Sequence, residues 1–481
     1  MNLLPLLFRW HRRLGILIAL PVLAWTLSGV LHPLMTRLNP QPVQMAAPLV
    51  DPLPDVALTP VMALLRAGVD EARTVRLVQI NARHYYQISP AQMGAPLYVD
   101  VESGALNPEG EMRHARDLAL HFSGRSADQV LNLVRVTRFD DDYLWINRLL
   151  PVWRVDFNGD DHLSVYVETA PARLAAMVDD TKRFNSALFN FLHKWEGLPQ
   201  HWAVTVLMVT LLVLASTVAL GGLLLYGLLW KKDRLARRTQ TTLQVWHRSL
   251  GLGISLFALL FAFSGAWHLL HEPTAVARQL EPLPAWPVAA LENVSAAELF
   301  GADPAAVLVG CNERPCRLVA PRPGMMQEHD HSEHQSSRSQ FALTDVQAEE
   351  GNKSDLNAAA VAAARNALGQ SPDVPAANVA TITVFEGEYG FLNKRLPVLK
   401  VTFASADHAT VYWEPATGAV AAVLRDRDRY EGFSFGFLHK YHWLDAAGKN
   451  VRDAVMALAA LLVATVTVLG CWMAWRRRGN L

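Results

Sequence analysis

Four apolar stretches, roughly 14–35, 203–230, 249–271 and 453–475, constrain this 481-residue chain more than anything else in it. Each reaches the about 20 residues a helix needs to cross the hydrocarbon of a bilayer. Only helices and closed barrels satisfy their backbone groups at that depth. The sequence therefore predicts a four-helix membrane bundle with two large polar regions, 36–202 and 272–452, outside the hydrocarbon.

Basic residues flank the spans on one side. Arg9, Arg12 and Arg13 precede the first; Lys231, Lys232, Arg234, Arg237, Arg238 and Arg248 lie around the loop between the second and third; Arg476, Arg477 and Arg478 follow the fourth. Retention of Lys and Arg on the cytoplasmic side places both termini and the loop 231–248 there. The two large regions then face outward, into a periplasm if the cell is Gram-negative. The first stretch is read as an uncleaved anchor, because its apolar run is long and no A-x-A-like site ends it. Formal net charge is zero, with 44 basic and 44 acidic residues, so no basic field argues for nucleic acid as a partner.

The spans carry a repeated pattern. WHRRLG at Trp10 and SGVLHP ending near His32 recur as WHRSLG at Trp246 and SGAWHLLH near His268, an offset of 236 residues. Later the offset becomes 246: Tyr143 matches Tyr389, Asn147 matches Asn393, Pro151 matches Pro397, His162 matches His408, and FNFLHKW with His193 matches FGFLHKY with His439. The expected architecture is two tandem copies of one unit, each reading span, outer domain, FLHK motif, span. Equivalent helices should pair about a pseudo-twofold axis. Segment limits follow: 1–35 with the first span, 36–202 outside, 203–230 the second span, 231–248 a basic loop, 249–271 the third span, 272–452 outside, and 453–481 with the fourth.

Within the outer regions, PVMALLRA and EMRHARDLALHF have helical patterns, while TVRLVQI, HYYQI and LYVDV alternate as strands. PVWRVDF and LSVYVET add strands. In the second copy DLNAAAVAAARNAL is helical, and LKVTF with ATVYWEPATGAV makes a hairpin-like set. Small α+β modules are expected.

The helix–strand–strand order ending in YVDVESGAL (Tyr98 to Leu106) or VYWEPATGAV (Val411 to Val420) resembles the PepSY domain. With WHRRLG, SGVLH and FLHK around it, nearly the whole chain is similar to the PepSY-associated transmembrane family, which includes haem-containing inner-membrane siderophore reductases. The resemblance implies an α+β membrane protein with PepSY-like outer domains, haem b as cofactor, and a ferric siderophore or other ferric complex as substrate.

Haem b in a membrane bundle is commonly held by two axial imidazoles. His11 and His247, equivalent residues at the cytoplasmic ends of their spans, are candidates for one such pair, with Trp10 and Trp246 beside them. On the opposite side stand His32, His193, His268 and His439, with His271 and His442 nearby. Pairings 32/268, 193/439, 32/193 and 268/439 all obey the duplication. His11 and His32 are separated by 21 residues, about 31 Å of helix, so they cannot share one iron; at least two redox centres, with two haems b expected, or one centre plus a proton-handling site would account for them. Gly15, Ser28, Gly29, Gly251, Ser264 and Gly265 are read first as small residues for close helix packing. His121 and His162 are read as surface or structural.

His329, His331 and His334 lie in GMMQEHDHSEHQSS with Glu328, Asp330 and Glu333, a set of ligand types for copper, zinc or iron within a solvated insertion. Cys311 and Cys316 flank a turn and suit a local disulfide on the oxidising side; Cys471 is a small apolar residue in the fourth span. No G-x-G-x-x-G follows a strand, and no Walker loop or hydrolase motif is present. Electrons would come from membrane quinol or a partner. Two other classes compete with the reductase: a peptide- or protease-binding sensory protein without redox chemistry, and a metal permease, which few intramembrane carboxylates support.

Overall fold

In the computed structural model, the described residues are 3–53, 57–92, 94–198, 202–236, 241–271, 283–291, 294–300, 306–311, 314–319, 342–345, 353–371, 374–385 and 387–478. Helix α1 (Leu3–Leu17) breaks at Ile18 and resumes as α2 (Ala19–Leu38). Hydrogen bonding continues through the break, since Ile18 N–H donates to Leu14 O and its carbonyl accepts from Val22 N–H. Next comes α3 (Pro60–Arg66), where Thr59 accepts from Met62 N–H and Pro60 occupies a first-turn position that needs no donor.

Strands β1 (Glu71–Ile80), β2 (Arg83–Pro90) and β3 (Leu97–Asp100) form an antiparallel meander. Helix α4 (Gly110–Ser123) follows, then β4 (Val130–Val136), β5 (Val152–Phe157), β6 (Ser164–Glu168) and β7 (Arg173–Val178) in a four-stranded sheet. Helix α5 (Asp180–Phe189) runs into a π-helical turn at Asn190–Lys194, and α6 (Trp202–Ala236) and α7 (Thr242–Leu270) come next.

Beyond them lie β8 (Trp286–Pro287), α8 (Ala296–Phe300), β9 (Val307–Cys311), β10 (Arg314–Val319) and β11 (Ala342–Asp345). Helix α9 (Lys353–Leu368) precedes a second four-stranded sheet, β12 (Ala376–Ile382), β13 (Val398–Phe403), β14 (Thr410–Glu414) and β15 (Ala419–Leu424). Helix α10 (Asp426–Ser434), a second π-helical turn at Phe435–His439, and α11 (Lys449–Arg478) complete the order.

The structure is therefore a mixed helix-and-sheet protein, and among the described residues four helices are long and apolar enough to cross a membrane: α2, α6, α7 and α11. Their outward faces carry Leu20, Leu27, Leu224, Leu228, Leu256, Phe263 and Leu458, all exposed. Such a surface is stable against lipid tails and costly against water. Within the bundle α6 packs on α7, α11 packs on α2 and α7, and α1 packs on α6 and α11.

Outside the bundle three sheets share the work. The largest has seven strands in the order β11-β10-β9-β1-β2-β3, with β8 also on β1. It draws strands from both 36–202 and 272–452: β1 pairs antiparallel with β9 through Thr74↔Val309, Val75↔Leu308 and Arg76↔Val307. One core spans the junction, with Leu64, Val75, Tyr86 and Ile88 packed with Trp286, Phe300 and Leu308. In the hairpin β9–β10, Cys316 is disulfide-bonded, and Cys471 is a free thiol.

The two four-stranded sheets match residue for residue. Helix α4 covers one face of the first through Ala115, Leu118 and Phe122; α9 covers the second through Leu356, Ala360 and Ala364. On the opposite faces Tyr143 stacks on Tyr166 at 4.5 Å and Tyr389 on Tyr412 at 4.3 Å. Tyr143 donates to Leu149 O and Tyr389 to Arg395 O. Three non-glycine residues with left-handed backbone in the first set, Arg148, His162 and Trp195, have counterparts in Lys394, His408 and Tyr441. Such conformations cost about 1 kcal/mol and persist only where surroundings fix them.

Between the sheets lies a buried charge cluster. Arg173 pairs with Glu414; Arg395 lies 2.6 Å from Glu414 and 3.2 Å from Glu168. Burial alone would push the Glu414 carboxyl up, but Arg173 and Arg395 hold it down at about 2.

Candidate functional site

The far end of the bundle, where α1 begins and α11 ends, joins His11 and His247. Their ring centres are 6.3 Å apart and their planes cross at 69°. Each imidazole is fixed the same way. His11 Nδ1 is 3.1 Å from Val218 O on α6, and His247 Nδ1 is 3.0 Å from Val466 O on α11. A carbonyl can only accept, so Nδ1 carries the proton and Nε2 keeps its lone pair.

Glycines make room for these rings. A Cβ on Gly222 would stand 3.2 Å from His11 Cε1, and one on Gly470 would stand 3.2 Å from His247 Cε1. Those contacts are tight, and a larger side chain would displace the imidazole. Trp10 and Trp246 next to the pair are about half exposed, as aromatic residues are at a bilayer boundary.

The domain end joins His193 and His439, the histidines of the two π-helical turns. Their ring centres are also 6.3 Å apart, with planes crossing at 81°. Ser28 Oγ donates to Trp25 O at 2.8 Å and stands 2.9 Å from His193 Nδ1. Ser264 Oγ donates to Leu260 O at 2.6 Å and stands 3.0 Å from His439 Nδ1. Each hydroxyl has already spent its proton on a carbonyl, so it accepts from Nδ1–H. Nε2 is again the nitrogen left with a lone pair, and it has no protein partner among the described residues.

The separation has a chemical meaning. An imidazole bound through one ring nitrogen at about 2.0 Å has its centre about 3.1 Å from the metal. Two opposed imidazoles on one ion then stand about 6.2 Å apart, close to both observed spacings. Along the helices the two pairs are well separated, since Ser28 and Ser264 each follow their first histidine by 17 residues, about 25 Å of helix.

His32 and His268 are not in the domain-end pair. They flank it through two phenylalanines: Phe189 stacks on His193 at 4.8 Å and lies 5.6 Å from His32, while Phe435 stacks on His439 at 4.8 Å and on His268 at 4.4 Å. His268 Nδ1 meets Glu431 at 2.6 Å, and His271 meets Asp428 at 3.1 Å. His442 bonds Asp445 at 2.6 Å. His121 bonds Ala46 O, and His162 bonds Asp180 on the surface. His329, His331 and His334 lie outside the described residues.

Sequence reasoning took Ser28 and Ser264 as packing residues, and it passed over Gly222 and Gly470 and the carbonyls of Val218 and Val466. The serines precede a glycine in both SG motifs at the offset of the histidines themselves, which is the signal that could have found them. Trp25 was also passed over: it stacks on Trp195 at 5.4 Å and 4°, and its indole N–H donates to His193 O at 3.2 Å.

Above the domain-end pair opens a chamber of about 5930 Å³ between the bundle and the two four-stranded sheets. His193, His439, His32 and His268 line it from the bundle. On its sheet side, reciprocal bonds join two turns that line it: Arg148 donates to Asn393 Oδ1 at 3.0 Å, and Lys394 donates to Asn147 Oδ1 at 3.2 Å. No protein-family model matches the chain, and no curated protein matches it in sequence.

Proposed function

We propose that this protein is a haem-bearing membrane reductase, built as two tandem copies with PepSY-like outer domains, that passes electrons across a bacterial inner membrane to a ferric complex on the outer side. The observation that carries the reading is the pair of histidine sites, His11/His247 and His193/His439. Both have the spacing of two axial imidazoles, and in all four rings Nδ1 is tied and Nε2 spared. Haem b held at the two pairs would supply one-electron transfer between the two ends of the bundle.

The chain's own residues do the rest. Val218 O and Val466 O fix the tautomer of the inner pair and raise its basicity as ligands; Ser28 and Ser264 do the same for the outer pair. Gly222 and Gly470 keep the inner rings seated. The π-helical turns carry His193 and His439 back into the bundle, a use of that geometry common at functional sites. The basic flanks support a cytoplasmic position for His11 and His247.

Membrane quinol suits the donor role, since each molecule gives two electrons and releases two protons, enough for two ferric ions. At the chamber each ferric ion takes one electron. The ferrous ion is a weaker partner for hard oxygen chelators such as siderophores and leaves them. The test is to reduce the purified protein, remove the reductant by desalting, and add a ferric trihydroxamate with a ferrous-specific chromogenic chelator. Reoxidation of the protein with matching ferrous release supports the reading; a protein that stays reduced refutes the substrate assignment.

A further inference from the structure

We propose that the chamber holds its ligand by negative charge, at a site formed by Arg148, Lys182 and Lys394 beside Trp145 and Phe391, and that an anionic chelate is preferred there over a neutral one. The proposal deepens the reductase reading, on which it rests for what the chelate carries; the argument for charge stands on these residues alone.

Among the described residues most of the chamber's carboxylates are already matched; the two that are not, Asp141 and Glu196, are exposed to solvent. Asp142 pairs with Arg183, Glu388 with Lys400 and Arg429, Glu431 with His268, and Asp453 with Lys449. The three cations are different. Arg148 bonds Asn393 Oδ1, Lys394 bonds Asn147 Oδ1 and Ala175 O, and Lys182 bonds Met177 O. None of the three has a carboxylate in salt-bridge reach among the described residues. Arg148 also keeps a buried Nε with no acceptor. Asp179 lends Lys182 some counter-charge from beyond salt-bridge reach, whereas Arg148 and Lys394, partly buried and held by neutral acceptors, have lost water without gaining a carboxylate, and an anion supplies it. Burial, with Lys182 and Arg173 nearby, already draws the Lys394 ammonium down to about 8.

Two further facts point to a ligand. Arg148 and Lys394 both hold left-handed backbone, at φ 61° and 57°. Next to them Trp145 is 51% exposed and Phe391 66% exposed in equivalent turns, and both line the chamber. Exposed aromatic rings beside unmatched cations suit the flat, electron-rich arms of an aromatic chelator as well as its charge.

The test uses the full-length protein in nanodiscs with two redox-inert probes: trianionic gallium(III) tris-catecholate and a neutral gallium(III) trihydroxamate. We expect the trianion to bind at least about tenfold more tightly and to weaken as salt is added. Arg148→Gln and Lys394→Gln should each cost the trianion about tenfold and leave the neutral probe unchanged. Equal or tighter binding of the neutral probe, or no salt dependence in the unaltered protein, overturns the proposal without recourse to any variant. A colourless protein that still prefers the trianion would sink the reductase reading and keep this one. A haem protein reoxidised with no charge preference would do the reverse.

Discussion

Ser28 Oγ stands 2.9 Å from His193 Nδ1 while giving its own proton to Trp25 O, so a hydroxyl on the second half of the first apolar stretch sets the tautomer of a histidine 165 residues away. Ser264 does the same for His439. Removing either hydroxyl leaves Nδ1–H without its acceptor and frees the ring to turn. Ser28→Ala and Ser264→Ala should each weaken haem retention at the domain end by about tenfold to a hundredfold while leaving the far-end haem in place. Haem content of each variant, titrated against added haem, checks this.

At the far end the limiting contact is steric. Gly222→Val and Gly470→Val would drive branched side chains into His11 and His247, where even a Cβ stands at 3.2 Å. Each should cost the far-end haem and spare the domain-end one, so that haem per protein falls by about half. Full haem content in either variant would show that these glycines do not seat a ligand.

The buried cluster between the sheets gives a pH prediction. Glu414 is held below its ordinary 4.5, at about 2, so its contribution is fully present above 4.5 and is lost as pH falls through 2. Glu414→Gln removes one of the two carboxylate charges that Arg173 and Arg395 share, leaving only Glu168, and should cost about 3 kcal/mol. Melting temperatures measured from neutral to acid pH should fall more steeply for the unaltered protein than for Glu414→Gln. Parallel curves would contradict this.

Several features were legible because they are local. Apolar runs marked the spans, and a constant offset tied His11 to His247 and His193 to His439. That offset left four outer histidines interchangeable; only folding set His193 opposite His439 and moved His32 and His268 behind Phe189 and Phe435. The break at Ile18 did have a local signal that went unread, Pro21, which has no N–H to give the Leu17 carbonyl four residues back. Strands β4 and β12 were missed because both are sheet edges with largely exposed residues, so no apolar alternation marks them. The seven-stranded sheet was out of reach for another reason. Val75 meets Leu308 across more than two hundred residues, and pairing at that distance leaves no trace in either strand's own pattern.

The central claim is that two histidine pairs each hold one haem, and the absorption spectrum of the purified, haem-supplied protein tests it most directly. The account predicts a Soret band with α bands that sharpen on reduction, two haems per chain, one lost in His11→Ala and the other in His193→Ala. A colourless protein, or a spectrum and haem count unchanged in both variants, would contradict it.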